Sequence, residues 1–250
     1  MQNSLFDLKG KTFFVTGASS GIGYEVCKTI SLLNGHFIAV ARRKELLEAL
    51  VSECNSTNNS FIVADLSLTE EVKRVANSIE KIDGVVHAAG FAKLAGLKFY
   101  KENLLNEMRS IHYDSIVMLM SFLTRGKKLN SNSSIVLIAS IAANFGMKGN
   151  GIYAGIKGAL VSISRVWANE LANQKIRVNC VSPGMVRTEI AKETESLVSK
   201  EAIEEDEKKY PLGYGLPEDV ANPVVFLLSD ASKWITGQNL ILDGGRSSVI

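Results

Sequence analysis

Short apolar runs alternate with amphipathic segments along most of the chain. Thr12 to Thr16, Phe37 to Ala41, Phe61 to Ala64, Val85 to Ala88, Ile135 to Ala139 and Val178 to Val181 read as buried strands, and the stretches between them carry the spacing of helices. Strands separated by helical segments are the pattern of βαβ units, which predicts an α/β, doubly wound Rossmann-type parallel sheet with helices on both faces. Ser67-Leu68-Thr69-Glu70 and Leu216-Pro217-Glu218-Asp219 look like helix starts, each with an acid in the first turn and the second with proline at the first helical position. Asn55 to Ser60 and Asn130 to Ser134 read as polar connectors. No long linker and no internal repeat interrupts the pattern, so a single domain over residues 1–250 is expected. Ala191 to Tyr210 is rich in Glu and Lys, and two readings stay open there: a solvated helix, or a mobile substrate lid within 188–212.

Composition narrows the class. Apolar residues make up 46% and charged residues 22%, which indicates neither disorder nor a membrane protein, and no stretch approaches the length of a membrane span. The first ten residues lack the basic and apolar regions of a leader, so a cytoplasmic protein is expected. A net charge of +2 without an aromatic-interleaved basic stripe argues against nucleic acid. Cys27, Cys54 and Cys180 are odd in number and far apart, as reduced thiols are, and His36, His87 and His112 lack ligand spacing, so no metal is expected.

Candidate chemistry lies in two places. Thr16-Gly17-Ala18-Ser19-Ser20-Gly21-Ile22-Gly23 follows the first strand and opens a helix, where glycines allow backbone N–H groups to approach a pyrophosphate and the helix N-terminus adds partial positive charge. The plain alternative is a tight strand-to-helix turn. After the second strand come Arg42 and Arg43, where an acid usually binds the ribose 2′-hydroxyl of the unphosphorylated dinucleotide. Guanidinium groups there favour a 2′-phosphate and hence NADP(H), against the alternative that they begin a solvated helix.

The second place is Ser140, Tyr153 and Lys157, spaced 13 and 4 residues apart. A free phenol has a pKa near 10, so ionising it at neutral pH requires about 4 kcal/mol of anion stabilisation, which a cation one helical turn away can supply. Tyr24 and Lys28 have the same spacing and act as an internal control, because they have no counterpart to Ser140, which ends an apolar strand and can donate to a substrate carbonyl.

With these residues in place the chain resembles the short-chain dehydrogenase/reductase family nearly end to end. The matching segments are Thr16 to Gly23, Asp65-Leu66, Ala88-Ala89-Gly90, Ser140, Tyr153 with Lys157, Arg177-Val178-Asn179, Pro183-Gly184, Ile235 to Gln238 and Asp243-Gly244-Gly245. The resemblance implies a seven-stranded sheet and a homotetramer, with Tyr153 as general acid, Lys157 on the ribose lowering the tyrosine pKa, and Ser140 orienting the carbonyl. It further implies that Asp65 and Leu66 meet the adenine side, that Ala89, Gly90, Pro183 and Gly184 pack on the cofactor, and that Val186 and Thr188 meet the nicotinamide amide. Two departures stand out: His87-Ala88 replaces a pair of asparagines, and His112 stands where the family carries the asparagine of its proton relay. His112 then serves the relay, marks a weakened enzyme, or is a satisfied buried side chain. Length and the closing segment are most similar to the 3-oxoacyl-acyl-carrier-protein reductases, which implies an acyl-thioester carbonyl substrate and acyl-carrier protein as a partner, with Arg125, Lys127 and Lys128 as a candidate docking patch. Sugar or polyol dehydrogenases and a catalytically impaired dinucleotide-binding scaffold are the alternatives.

Overall fold

The computed structural model describes residues 5–54, 56–189 and 199–248. Seven parallel strands form one sheet: β1 Thr12–Thr16, β2 His36–Ala41, β3 Ser60–Val63, β4 Ile82–His87, β5 Leu129–Ile138, β6 Arg177–Pro183 and β7 Asn239–Leu242. Their spatial order is β3-β2-β1-β4-β5-β6-β7, so the chain changes direction across the sheet between β1 and β4. The helices are α1 Gly21–Leu32, α2 Lys44–Glu53, α3 Thr69–Ser78, α4 Glu102–Arg109, α5 Ser115–Arg125, α6 Gly151–Glu170, α7 Lys200–Glu207 and α8 Pro217–Leu228.

Successive residues of each central strand face opposite cores. Phe14, Val85, Leu137 and Val178 pack with side chains of α3, α5 and α6, whereas Phe13, Val15, Val86, Val136 and Val181 pack with those of α1, α2 and α8. Burial on both faces is why these strands appear in the sequence as continuous apolar runs without alternation.

Two elements differ from the expected boundaries. The polar stretch Asn130 to Ser134 belongs to β5, where pairing jumps from Ile82 with Leu129 to Gly84 with Ser134. The extra residues bulge out, with Asn132 at a φ of 66°. Their polarity serves that bulge: the Asn130 amide donates to Asp83 (2.9 Å) and the Ser133 hydroxyl to the Ile82 carbonyl (3.2 Å). The second difference is β7, a four-residue edge strand whose short apolar run, Leu240 to Leu242, has two exposed members. It is held by Asn179, whose amide donates to the Ile235 carbonyl (3.0 Å) and whose oxygen accepts from the Gln238 N–H (3.0 Å).

Both expected helix starts are present, although Leu68 rather than a serine precedes α3. In the charge-rich stretch, α7 is mostly exposed and carries short ion pairs such as Lys208 with Glu205. Residues 190–198 of the lid region lie outside the described residues. Among the described residues, no helix is long and apolar enough to cross a membrane, and no group of three metal-ligating side chains is assembled.

Arg177 fastens the loop after α8 to the sheet. Its buried guanidinium donates to the carbonyls of Leu227 (2.7 Å) and Ser229 (3.1 Å) and to the Ser232 hydroxyl (2.7 Å). Arg177→Met leaves three buried acceptors without that donor and is expected to destabilise the chain by about 3 kcal/mol in urea unfolding; a loss under about 1 kcal/mol contradicts this role.

Candidate active site

The loops leaving β1, β4, β5 and β6 emerge at one end of the sheet, around the reversal between β1 and β4, which in open α/β sheets is where ligands bind. Two glycines of the first loop are set by close approach. Gly17 has a φ of +68°, and a Cβ there would lie 2.7 Å from the backbone of Ala88 and Ala89; a Cβ on Gly23 would lie 2.5 Å from the Gly17 carbonyl oxygen. The helix behind this loop has no acid in its first turn and no side-chain cap from Ser20, so its leading N–H groups are left for another acceptor. Gly21 faces Thr188, whose methyl would be 3.2 Å from a Cβ there, so the segment after β6 folds over the cradle. Ile22 packs at the margin of the core beneath.

Structure separates the two arginines. The Arg43 guanidinium donates to Ser19 (3.0 Å), Ser20 (2.6 Å) and Glu189 (3.1 Å), which places it at the rim of the cradle. Arg42 is exposed beside it, with no hydrogen bond or ion pair among the described residues. Asp65 accepts from the N–H (3.0 Å) and hydroxyl (2.7 Å) of Ser67 at the end of β3, and the Leu66 side chain is buried in the core, so only its backbone can face a ligand. Gly184, following Pro183 at the end of β6, has the Tyr210 ring against it, and Val186 is buried and bridged to Gly215.

Ser140, Tyr153 and Lys157 converge as their spacing predicts. Ser140 ends the β5 segment and caps a short turn, accepting from the Ala142 N–H at 3.2 Å. The Lys157 ammonium lies 5.5 Å from the centre of the Tyr153 ring and donates to the Ile138 carbonyl at 2.7 Å. Burial pushes the Tyr153 phenol up to about 12, opposed by its hydrogen bond with Ser140, and burial brings Lys157 down to about 8. This differs from the expected lowering of the tyrosine by Lys157. In the chain alone desolvation sets the direction, and Tyr153 is a neutral phenol at pH 7.

Both unusual histidines are buried beneath this cluster. The Thr16 hydroxyl oxygen accepts from the N–H groups of Ala88 (3.2 Å) and Ala89 (3.1 Å), so its proton goes to His87 Nδ1 at 3.0 Å. His87 Nε2 therefore bears the hydrogen and donates to the His112 carbonyl at 3.1 Å. His112 sits in a π-turn, Ser110–Asp114, with its Nε2 2.7 Å from the Phe91 carbonyl and its ring edge-on to Tyr153 at 5.6 Å. Its Nδ1 is buried and has no hydrogen-bond partner among the described residues, and its ring fills the space that a Cβ on Gly90 would need. Burial, reinforced by the Lys157 charge, holds both rings neutral, His87 at about 3 and His112 well below the usual range. Thr16, the node of this chain, stands at the head of the glycine run in the sequence, which gives no sign of its buried hydrogen bonds.

The control pair behaves as a control. The Tyr24 hydroxyl donates to Glu53, which also pairs with Lys28 (3.1 Å), tying α1 to α2. Of the candidate docking patch, Lys128 is spent on the Ile79 carbonyl (2.6 Å), and Arg125 lies over the Phe122 ring.

A reversing parallel sheet, a glycine cradle at the reversal and a serine–tyrosine–lysine cluster beside it define a dinucleotide-dependent oxidoreductase fold. The comparisons agree. The family model described as Enoyl-(Acyl carrier protein) reductase matches residues 17–247. A 3-oxoacyl-acyl-carrier-protein reductase of Rickettsia bellii is 33% identical, covering 98% of this chain and all of that protein. An NAD-dependent glycerol dehydrogenase of Listeria innocua is 30% identical over 96% of this chain and 95% of its own length. A solved short-chain dehydrogenase/reductase from Brucella melitensis, titled a glucose/ribitol dehydrogenase, superposes with a TM-score of 0.89 at 28% identity, covering 96% of this chain and 98% of that one. The chain belongs to the short-chain dehydrogenase/reductase family, whose members are oxidoreductases that use a nicotinamide dinucleotide.

The buried lysine has a measurable cost. Unfolded lysine keeps its proton to about pH 10.5, while Lys157 releases it near 8, so stability rises with pH across that window. Lys157→Met is expected to stabilise the chain at pH 7 by roughly 1–3 kcal/mol, with the gain vanishing by pH 10.5 in urea unfolding. A variant less stable than wild type at pH 7 contradicts this placement.

Proposed function

We propose that the protein is an NADPH-dependent carbonyl reductase acting on a 3-oxoacyl thioester, with the convergence of Ser140, Tyr153 and Lys157 beside the cradle as the observation that carries the reading. The dinucleotide, when bound, supplies the hydride. Gly17, Ser19, Ser20, Gly21, Ile22 and Gly23 would hold its pyrophosphate through backbone N–H groups, Asp65 and Leu66 would meet the adenine side, and Ala89, Gly90, Pro183, Gly184, Val186 and Thr188 would line the nicotinamide side. Ser140 donates to the substrate carbonyl oxygen. Tyr153, held as a neutral phenol by burial, is in the protonation state that reduction requires and gives its proton to that oxygen. Lys157, with its lowered pKa, is poised to hold the ribose and stabilise the phenolate left behind. His112 positions Tyr153 through the edge-on ring contact rather than titrating near neutrality.

The phosphorylated cofactor is supported by Arg42 and Arg43 at the end of β2. Against it, Arg43 already spends donors on Ser19, Ser20 and Glu189. The Arg43–Glu189 pair is exposed, and exposed pairs contribute about 0–1 kcal/mol, so a 2′-phosphate can displace the carboxylate. An NAD-dependent sugar or polyol dehydrogenase is the second reading, supported by the glycerol and glucose/ribitol dehydrogenase relatives. We further assign a cytoplasmic homotetramer that docks acyl-carrier protein; exposed apolar groups at Val166 on α6, Trp234, and Leu240 and Ile241 on the edge strand support self-association.

NADPH and NADH oxidation with an acetoacetyl thioester test this reading. Turnover is expected with NADPH, reduced at least about a hundredfold by Tyr153→Phe, and Arg43→Asp is expected to shift preference toward NADH by about tenfold or more. Retained turnover in Tyr153→Phe overturns the chemistry; an unchanged preference in Arg43→Asp overturns the cofactor assignment.

A further inference from the structure

Of the arginines near the site, most have their donors spent. Arg177 is saturated by the loop after α8, Arg187 pairs with Glu207 at 2.6 Å, and Arg43 is engaged at the cradle. Arg246 is different. Its guanidinium carbon lies 5.3 Å from the ring centre of Phe145 and 5.8 Å from that of Tyr210, so it is held between two aromatic rings. Among the described residues it makes no side-chain hydrogen bond and no ion pair. The nearest acid in sequence, Asp243, makes no ion pair with it; its two oxygens are directed to the N–H groups of Gly245 (3.1 Å) and Ser247 (2.7 Å).

Its position is fixed by backbone. The Arg246 N–H donates to the Asp243 carbonyl (3.0 Å), the Leu212 N–H donates to the Gly244 carbonyl (3.0 Å), and Gly245 packs on Pro211. Phe145 lies in the loop after β5 and Tyr210 lies between α7 and α8, against the segment that leaves β6. Phe145 follows Ser140 by five residues and donates its N–H to the Ile141 carbonyl. The Tyr210 ring rests against Gly184. A partly buried guanidinium, oriented by stacking and with its fork of donors unspent, is preorganised for a planar or tetrahedral oxyanion.

We propose that Arg246 binds an anionic group carried by the carbonyl substrate, at a point between the loops that follow β5 and β6. The proposal rests on the reductase reading of the site and narrows its substrate to carbonyl compounds bearing a phosphate or carboxylate. Three substrates separate the sources: acetoacetyl-N-acetylcysteamine, which is neutral, acetoacetyl-4′-phosphopantetheine, and free acetoacetate. In Arg246→Ala the kcat/KM ratio of the recognised anionic substrate to the neutral thioester is expected to fall about tenfold or more, with Arg246→Lys recovering part of it through charge without the bidentate fork. A fall confined to the phosphopantetheine thioester identifies the phosphate, and one confined to acetoacetate identifies the carboxylate. Calorimetric titration of 4′-phosphopantetheine and of acetoacetate, against wild type and Arg246→Ala, gives a reading independent of turnover. Arg246-dependent binding in a protein that reduces none of the three retires the reductase reading and leaves the anion site standing. If neither the rate ratio nor the binding of either anion depends on Arg246, the residue is only a clamp for Phe145 and Tyr210 and the proposal is overturned.

Discussion

Thr16 is where the two halves of the site are tied together. Its buried hydroxyl accepts the N–H groups of Ala88 and Ala89 and donates to His87, which donates in turn to the backbone carbonyl of His112. One side chain thereby fixes the distance between the glycine loop after β1 and the loop after β4, and passes that constraint to the turn holding His112 against Tyr153. Every member but one nitrogen is satisfied, and each buried polar group left without a partner costs about 1–3 kcal/mol, so the chain specifies one arrangement. The close approach of Gly17 to Ala88 follows from the same tie.

That buried frame also sets the electrostatics. Removing Tyr153, Lys157 and both histidines from water favours the neutral form of each, so the phenol is pushed up while the amine and the imidazoles come down. Burial therefore holds the proton on the tyrosine. Charge on Lys157 is costly there, since among the described residues the Ile138 carbonyl is its hydrogen-bond acceptor, and a ligand presenting further acceptors to that ammonium offsets the cost.

The sheet was legible because its central strands are buried on both faces and so read as unbroken apolar runs. The bulged start of β5 was not, since its polar residues answer to local hydrogen bonds rather than to a hydrophobic face, and β7 was not, since its apolar run is only three residues long and half exposed at the sheet edge. Ser140, Tyr153 and Lys157 were legible from type and spacing, and Tyr24 with Lys28 shows why spacing alone is weak: an acid from the neighbouring helix captures both. Which of two adjacent arginines reaches the cradle depends on side-chain direction, which sequence does not carry. Arg246 gave no signal, because its neighbours Phe145 and Tyr210 come from loops 101 and 36 residues away.

Burial keeps Tyr153 protonated in the chain alone, and under the proposed function bound cofactor, with its positive nicotinamide and its contacts to Lys157, is expected to bring the phenol toward neutrality. Ultraviolet difference titration of tyrosinate, wild type against Tyr153→Phe, with and without NADP+, tests it directly. The account predicts that the tyrosine lost in the variant titrates near 12 in the empty protein and several units lower in the complex. A phenol already ionising near pH 7 without cofactor, or one unmoved by it, contradicts the account.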